Sequence, residues 1–191
     1  MTCVIASEEK NTGKVISITA LVFMAFVLLN SVTLFSANAK PGGWFLLLPF
    51  FVMCALMLVI GRYQQKKYDR LGATPLTLMS GECKLGQSMS AKIAISHQDF
   101  SRVNQLSLTC WKRNSSSNST SYDKIWATEI VPTIQACFNG TELVFDICIP
   151  ADKKPTNKGG WGAKKYHWEL GFEYVEAMTA IKRTWKIPVS R

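Results

Sequence analysis

The sequence predicts a two-helix transmembrane hairpin followed by an all-β antiparallel sandwich of about seven strands. Three observations support this fold class. Two long apolar runs lie between residues 15 and 60, and most of the charge follows residue 62. From residue 74 onward, short runs alternate apolar with polar side chains, as half-buried antiparallel strands do.

The two apolar runs are long enough to cross a membrane as helices. Residues 15–35 contain no charged side chain, and at 21 residues a helix would be about 31 Å long. Residues 44–60 form a run of 17 residues, at the short end of the spanning range, and include Pro49. The short connection 36–43 predicts that the two helices pack as an antiparallel hairpin.

A cleaved signal peptide is the alternative interpretation of the first run. Residues 37–39, Ala-Asn-Ala, have the small-x-small form of a signal-peptidase site. The run is longer than a signal-peptide core, however, and Glu8 and Glu9 cancel the charges of Lys10 and Lys14. The sequence therefore favours an uncleaved hairpin.

Basic residues that follow the second run predict the orientation. The cluster consists of Arg62, Lys66, Lys67 and Arg70. The connection between the runs contains only Lys40. Because basic residues near membrane ends stay cytoplasmic, we expect an inner (plasma) membrane protein with both termini and the β-domain in the cytoplasm. A periplasmic or extracellular β-domain is the alternative.

These features divide the chain into four segments. We expect an N-terminal cytoplasmic segment (1–14), a transmembrane hairpin (15–61), a basic juxtamembrane linker (62–73) and a β-sandwich domain (74–191). Four successive runs show the alternation best: 89–96, 105–110, 142–149 and 165–172. Residues 74–79, 124–131 and 181–189 complete the predicted strands, with Arg183 as an exception on an apolar face.

Four sequence motifs carry a resemblance to a known class of sandwich. They are LSLTCWKR, GTELVFDICIPADKKP, YHWELGFEY and TWKIPV, in that order. This order resembles the arrestin-like, immunoglobulin-related sandwiches at the C-terminus of some uncharacterised bacterial membrane proteins. The family pattern is matched by Tyr166, Trp168, Leu170, Ile187, Pro188 and Val189. The resemblance covers roughly residues 74–190 and implies a fold, not an activity.

Nothing in the sequence indicates a catalytic, cofactor or metal site. His97 and Asp99 lie in a turn without an accompanying nucleophile motif, so we read them as surface residues. The six cysteines form no CxxC pair, and only two histidines are present. Four of the cysteines lie in the β-domain, where they would be free thiols in the cytosol or two disulfides after export.

Basic charge points to acidic partners. From residue 62 onward the chain has 19 Lys and Arg against 11 Asp and Glu, which favours membrane lipids as partners. No nucleic-acid motif accompanies this charge, so no nucleic-acid partner is expected. The loop 150–165 surrounds Trp161 with basic residues: Lys153, Lys154, Lys158, Lys164 and Lys165. It is either a contact surface or a solvated insertion.

The function that the sequence favours is a non-enzymatic, membrane-anchored binding or scaffolding module. It would recruit or stabilise a protein partner in a membrane complex, and self-association is left open. One alternative is an accessory or immunity-type subunit that acts through its transmembrane hairpin. Another is a hydrolase whose site no motif reveals.

Overall fold

The computed structural model divides the chain into two units. It describes residues 2–36, 44–96, 100, 103–115, 119–138, 140–157, 166–176 and 179–191. One unit is the helical segment Lys10–Arg70, and the other joins Met1–Glu9 to Leu71–Arg191. Residues 1–9 therefore belong to the β-unit, whereas the sequence predicted a separate N-terminal segment at residues 1–14.

The helical unit consists of α1 (Thr12–Ser36) and α2 (Trp44–Asp69). Both helices are long and apolar enough to cross a membrane by length and composition. The side-chain oxygen of Asn11 accepts a hydrogen bond from the backbone N–H of Lys14, which caps the start of α1. Helix α2 continues past the predicted span, so most of the expected linker 62–73 is helical.

Small residues hold the two helices close together. Gly13 on α1 and Gly61 on α2 are both buried, and a Cβ atom on Gly13 would overlap the backbone of Gly61 and Gln65. Ala20 and Cys54 are also completely buried in this unit. Close backbone approach through small residues is typical of membrane helix pairs. Large apolar side chains lie on the outside of α1, with Val22 65% and Leu29 69% exposed.

The described part of the β-unit contains eleven strands where about seven were predicted. They are β1 (Cys3–Ile5), β2 (Leu76–Leu78), β3 (Cys83–Lys84), β4 (Ser88–Ile95), β5 (Gln105–Ser115), β6 (Thr120–Glu129), β7 (Thr133–Cys137), β8 (Gly140–Cys148), β9 (Tyr166–Glu176), β10 (Thr179–Ile187) and β11 (Val189–Ser190). The seven predicted strands are all present. The additional strands are β1, β3, β7 and β11, which have two to five residues each.

These strands form the sandwich that the sequence predicts. One sheet has the order β1-β2-β4-β8-β7, and the other has the order β10-β9-β5-β6. All neighbouring strands in both sheets are antiparallel. A small parallel pair, β3 with β11, lies beside them. Buried side chains from both sheets form one hydrophobic cluster.

Two tryptophans lie at the centre of this cluster. Trp168 and Trp185 are completely buried, and each indole N–H donates a 3.0 Å hydrogen bond, to the carbonyls of Lys154 and Thr74 respectively. Arg183, the exception in the predicted alternation, is 4% exposed and donates to backbone carbonyls. All six cysteines are free, and Cys83 and Cys110 are buried.

The N-terminal segment spans from one sheet to the other, and we call residues 3–9 the N-terminal strap. Strand β1 pairs with β2 at the edge of the five-stranded sheet. Farther along, the N–H of Glu8 donates to the carbonyl of Thr184 on β10, the edge of the other sheet. The carboxylate of Glu9 accepts hydrogen bonds from the Thr184 N–H (2.8 Å) and hydroxyl (2.7 Å). The strap thus joins one edge of each sheet.

Truncation of the central tryptophan tests the core. We expect Trp168→Ala to lower the free energy of unfolding of the β-unit by about 3–5 kcal/mol, because transfer energy is lost and a cavity remains. Thermal unfolding of the full chain in detergent, followed by tryptophan fluorescence, measures the change. The control is Lys182→Ala on β10, where an exposed ion pair with Glu173 contributes about 0–1 kcal/mol. Equal melting temperatures for the two variants would contradict the strand register.

Removal of the Glu9 carboxylate tests the strap. We expect Glu9→Ala to destabilise the β-unit by about 1.5–3 kcal/mol, since two hydrogen bonds to a charged group are lost. Glu8→Ala is the matched control, because its ion pair with Lys186 joins two half-exposed side chains and contributes only about 0–1 kcal/mol. Denaturant unfolding of the full chain measures both. If Glu9→Ala proves as mild as Glu8→Ala, the strap does not hold the sheets together.

Candidate functional site

Only part of the predicted basic loop lies in the described residues. Trp161, Lys158, Lys164 and Lys165 lie outside them, so the structure does not place these four predicted contact residues. Lys153 and Lys154 are described, and they belong to the segment 150–157 that leads into the loop.

Segment 150–157 is held against the sandwich. The N–H of Thr156 donates to the carbonyl of Val189 (2.9 Å), and its hydroxyl oxygen accepts from the Val189 N–H (3.2 Å). The Lys154 carbonyl is the acceptor for the buried Trp168 indole. The Lys153 ammonium pairs with Asp152 at 2.8 Å, so its charge is partly compensated. The start of the basic loop is therefore fixed to the core.

A cleft of about 360 Å³ opens beside this anchored segment. It is lined by Arg113, Tyr122, Thr156, His167, Trp168, Lys186, Ile187 and Pro188. Thr156 precedes the undescribed residues 158–165, and His167 follows them. The predicted basic loop thus leaves and rejoins the sandwich at the cleft.

Strand register brings the polar side chains of the cleft together. Arg113 on β5 lies opposite Tyr122 on β6, and His167 on β9 lies opposite Trp111 on β5. A β-bulge between Cys110 and Trp111 shifts the register of β5 against β6 just before Arg113. The rings of Tyr122 and His167 meet edge to face, with centroids 5.4 Å apart. His167 is half-buried, and it points away from the face on which its neighbour Trp168 is buried.

The two basic side chains of the cleft differ in their partners. The hydrogen bond from Lys186 to Glu8 raises the pKa of Lys186, and the Glu8 carboxylate balances its charge at 2.8 Å. Burial raises the pKa of the neighbouring Glu169 carboxyl, which favours its neutral form. Half-buried Arg113 forms no ion pair within the described ranges; it donates a long hydrogen bond of 3.5 Å to the hydroxyl of Thr120, and its buried Nε lacks a partner among those residues.

This arrangement suits an anionic group carried on an apolar or planar body. The guanidinium of Arg113 presents a fork of donors that matches a carboxylate or phosphate. Half-buried Pro188 supplies apolar surface beside it, and the buried side chains of Trp168 and Ile187 also border the cleft. In the part of the chain that the structure describes, no group of three or more His, Cys, Asp or Glu side chains could hold a metal ion. His97 and Asp99 lie outside that part.

The basic cluster of the helical unit forms a second feature. Arg62, Lys66 and Lys67 lie on the last two turns of α2, and Arg70 follows the helix. Cations in the last turn of a helix are stabilised by the helix dipole. Arg62, Lys66 and Arg70 are exposed, whereas Lys67 is half-buried.

Arg113, Tyr122 and Lys186 are the cleft residues that sequence reasoning missed. Each lies on a different strand, and only the sheet register brings them together. The sequence contains only a weak signal for Arg113, which lies three residues after the alternating run 105–110 and shortly before three consecutive serines at 115–117.

Comparison with known proteins does not assign the chain to a family. No family model matches the sequence, and no curated protein matches it. The resemblance to arrestin-like sandwiches therefore stays a prediction.

Proposed function

We propose that this protein is a membrane-anchored, non-enzymatic binding module that holds an acidic partner at the membrane. The observation that carries the proposal is the cleft at the base of the basic loop, where Arg113, which forms no ion pair with any residue that the structure describes, lies beside apolar lining. The two apolar helices lie between β1 and β2 in sequence and supply the anchor.

The acidic partner would be recognised in two stages. Lysines of the loop 150–165 attract it over a distance, which raises the rate of association. In contact, the Arg113 guanidinium pairs with a carboxylate of the partner, and the Trp161 indole contributes buried apolar area. Anionic lipid headgroups carry similar charge, so lipid is the competing ligand in the test.

The proposed location is the inner (plasma) membrane, with both termini and the β-unit in the cytoplasm. Two observations support it. Arg62, Lys66, Lys67 and Arg70 lie at the end of α2 or directly after it, where basic residues favour the cytoplasmic side. Pairing of β1 with β2 requires that both flanks of the hairpin lie on the same side of any membrane that it crosses.

Partner binding is tested with two variants of the full chain. Co-purification from detergent-solubilised membranes identifies proteins held by the wild type. We expect Arg113→Ala and Trp161→Ala to weaken this binding about tenfold, and higher salt to weaken it further. Liposomes with and without anionic lipid then separate a protein ligand from a lipid ligand.

Lys182→Ala is the control for this experiment, since it removes a basic side chain from the same sheet but outside the cleft. Replacing residues 13–65 by a short Gly-Ser linker tests the role of the helices. This replacement is feasible because the backbones of Gly13 and Gln65 are adjacent, and it keeps the strap that a simple N-terminal deletion would remove. Full partner binding by Arg113→Ala, or loss of every partner with the linker variant although it folds, would contradict the proposed site.

Fusions to a phosphatase that is active only in the periplasm test the topology. We expect a fusion after Arg191 to be inactive and one at Gly42 to be active, because basic residues retain the ends of the hairpin in the cytoplasm. The mass of the purified chain should also show that the first 36 residues are retained. The reverse activity pattern would place the β-unit outside the cytoplasm.

A further inference from the structure

The four outer edges of the sandwich are not equally protected. The strap occupies two of them, since β1 ends the five-stranded sheet and Glu8 and Glu9 hydrogen-bond to β10. The third edge, β6, carries the charged residues Asp123 and Lys124 in its middle, which discourage pairing with another strand. The fourth edge, β7, carries no charge.

Strand β7 is also the most exposed strand of the sandwich. All five of its residues, Thr133–Cys137, are exposed, with Ile134 the least so at 38%. Uncharged residues extend on both sides of it: Val131 is 92% exposed and Phe138 is 95% exposed. An uncharged and uncovered edge strand is a template for another strand, and natural proteins rarely leave one open.

The sequence of β7 is complementary to itself in antiparallel pairing. A two-fold axis normal to the sheet at Gln135 places Gln135 opposite its own copy. It also places Ile134 opposite Ala136 of the second copy and Thr133 opposite Cys137. No like charges meet in this register. A glutamine amide has both donors and an acceptor, so two facing amides can satisfy each other.

We propose that two copies of this chain pair through their β7 strands, antiparallel and centred on Gln135. The pairing joins the two five-stranded sheets into one continuous sheet. It uses a surface separate from the cleft residues, and it does not depend on the proposed partner function. Confinement in a membrane would raise the effective concentration of the two copies and compensate for the shortness of the strand.

Substitution of Gln135 by a basic or an acidic residue tests this pairing in the full chain. Two copies with different affinity tags are co-expressed, solubilised in detergent and purified through one tag. We expect wild-type copies to co-purify, whereas two Gln135→Lys copies or two Gln135→Glu copies co-purify about tenfold less, because like charges face each other across the axis. A Gln135→Lys copy with a Gln135→Glu copy should recover the wild-type yield.

Ala127→Lys and Ala127→Glu on β6 are the matched controls, since Ala127 is exposed on the other uncovered edge. They should co-purify as the wild type does. Melting temperatures confirm that each variant folds. Gln135 lies opposite Glu142 on β8, so we expect Gln135→Glu to melt slightly below the wild type and Gln135→Lys slightly above it, whereas the Ala127 variants should melt close to it. Equal yields in all combinations, or a wild-type mass in detergent equal to that of one chain, would overturn the pairing. The proposal would also be overturned if β7 bound only a different protein and the Gln135→Lys copy with the Gln135→Glu copy did not regain the wild-type yield of co-purification.

Discussion

The pairing of β1 with β2 is the contact on which the path of the chain depends. These strands are separated in sequence by the whole helical unit, yet their residues are direct neighbours in the five-stranded sheet. The entropy cost of closing such a long loop grows only slowly with its length, so a long insertion between two strands is tolerated. The chain therefore begins in the sandwich, leaves it for two apolar helices, and returns to the adjacent strand.

The same short segment also occupies one edge strand of each sheet, so these edges are not open to pairing with another strand. After β1, Glu8 and Glu9 reach the edge strand of the second sheet and hydrogen-bond to Thr184. Glu8 also pairs with Lys186, which lines the candidate cleft. One side of the sandwich is closed in this way by seven residues of the N-terminal strap, while the side formed by β6 and β7 stays open. Because of this asymmetry, β7 is an exposed edge strand that carries no charge.

Core and candidate site are joined through Trp168. Its indole ring is completely buried and meets Trp126 edge to face, with centroids 5.5 Å apart. Its N–H reaches the carbonyl of Lys154, at the start of the basic loop. A polar atom on a core side chain thus fixes the segment that borders the cleft. Because a buried indole N–H requires an acceptor, the packing of the core also determines where the loop begins.

Local sequence pattern determined the two apolar helices, seven of the strands and the inward face of Trp168, since hydrophobic periodicity depends only on neighbouring residues. It did not reveal β1, β3, β7 and β11, which have two to five residues each. Among strands of five residues or fewer it predicted only β2, as part of the longer run 74–79, because a period of two is hard to recognise in so few residues. It identified the lysines of the basic loop but not Arg113, Tyr122 and Lys186. Only the tertiary structure decided that those three side chains share a cleft and that the N-terminus joins the sandwich. The reason is that strand register, a β-bulge and hydrogen bonds between residues as distant as Glu9 and Thr184 form only when the sheets assemble.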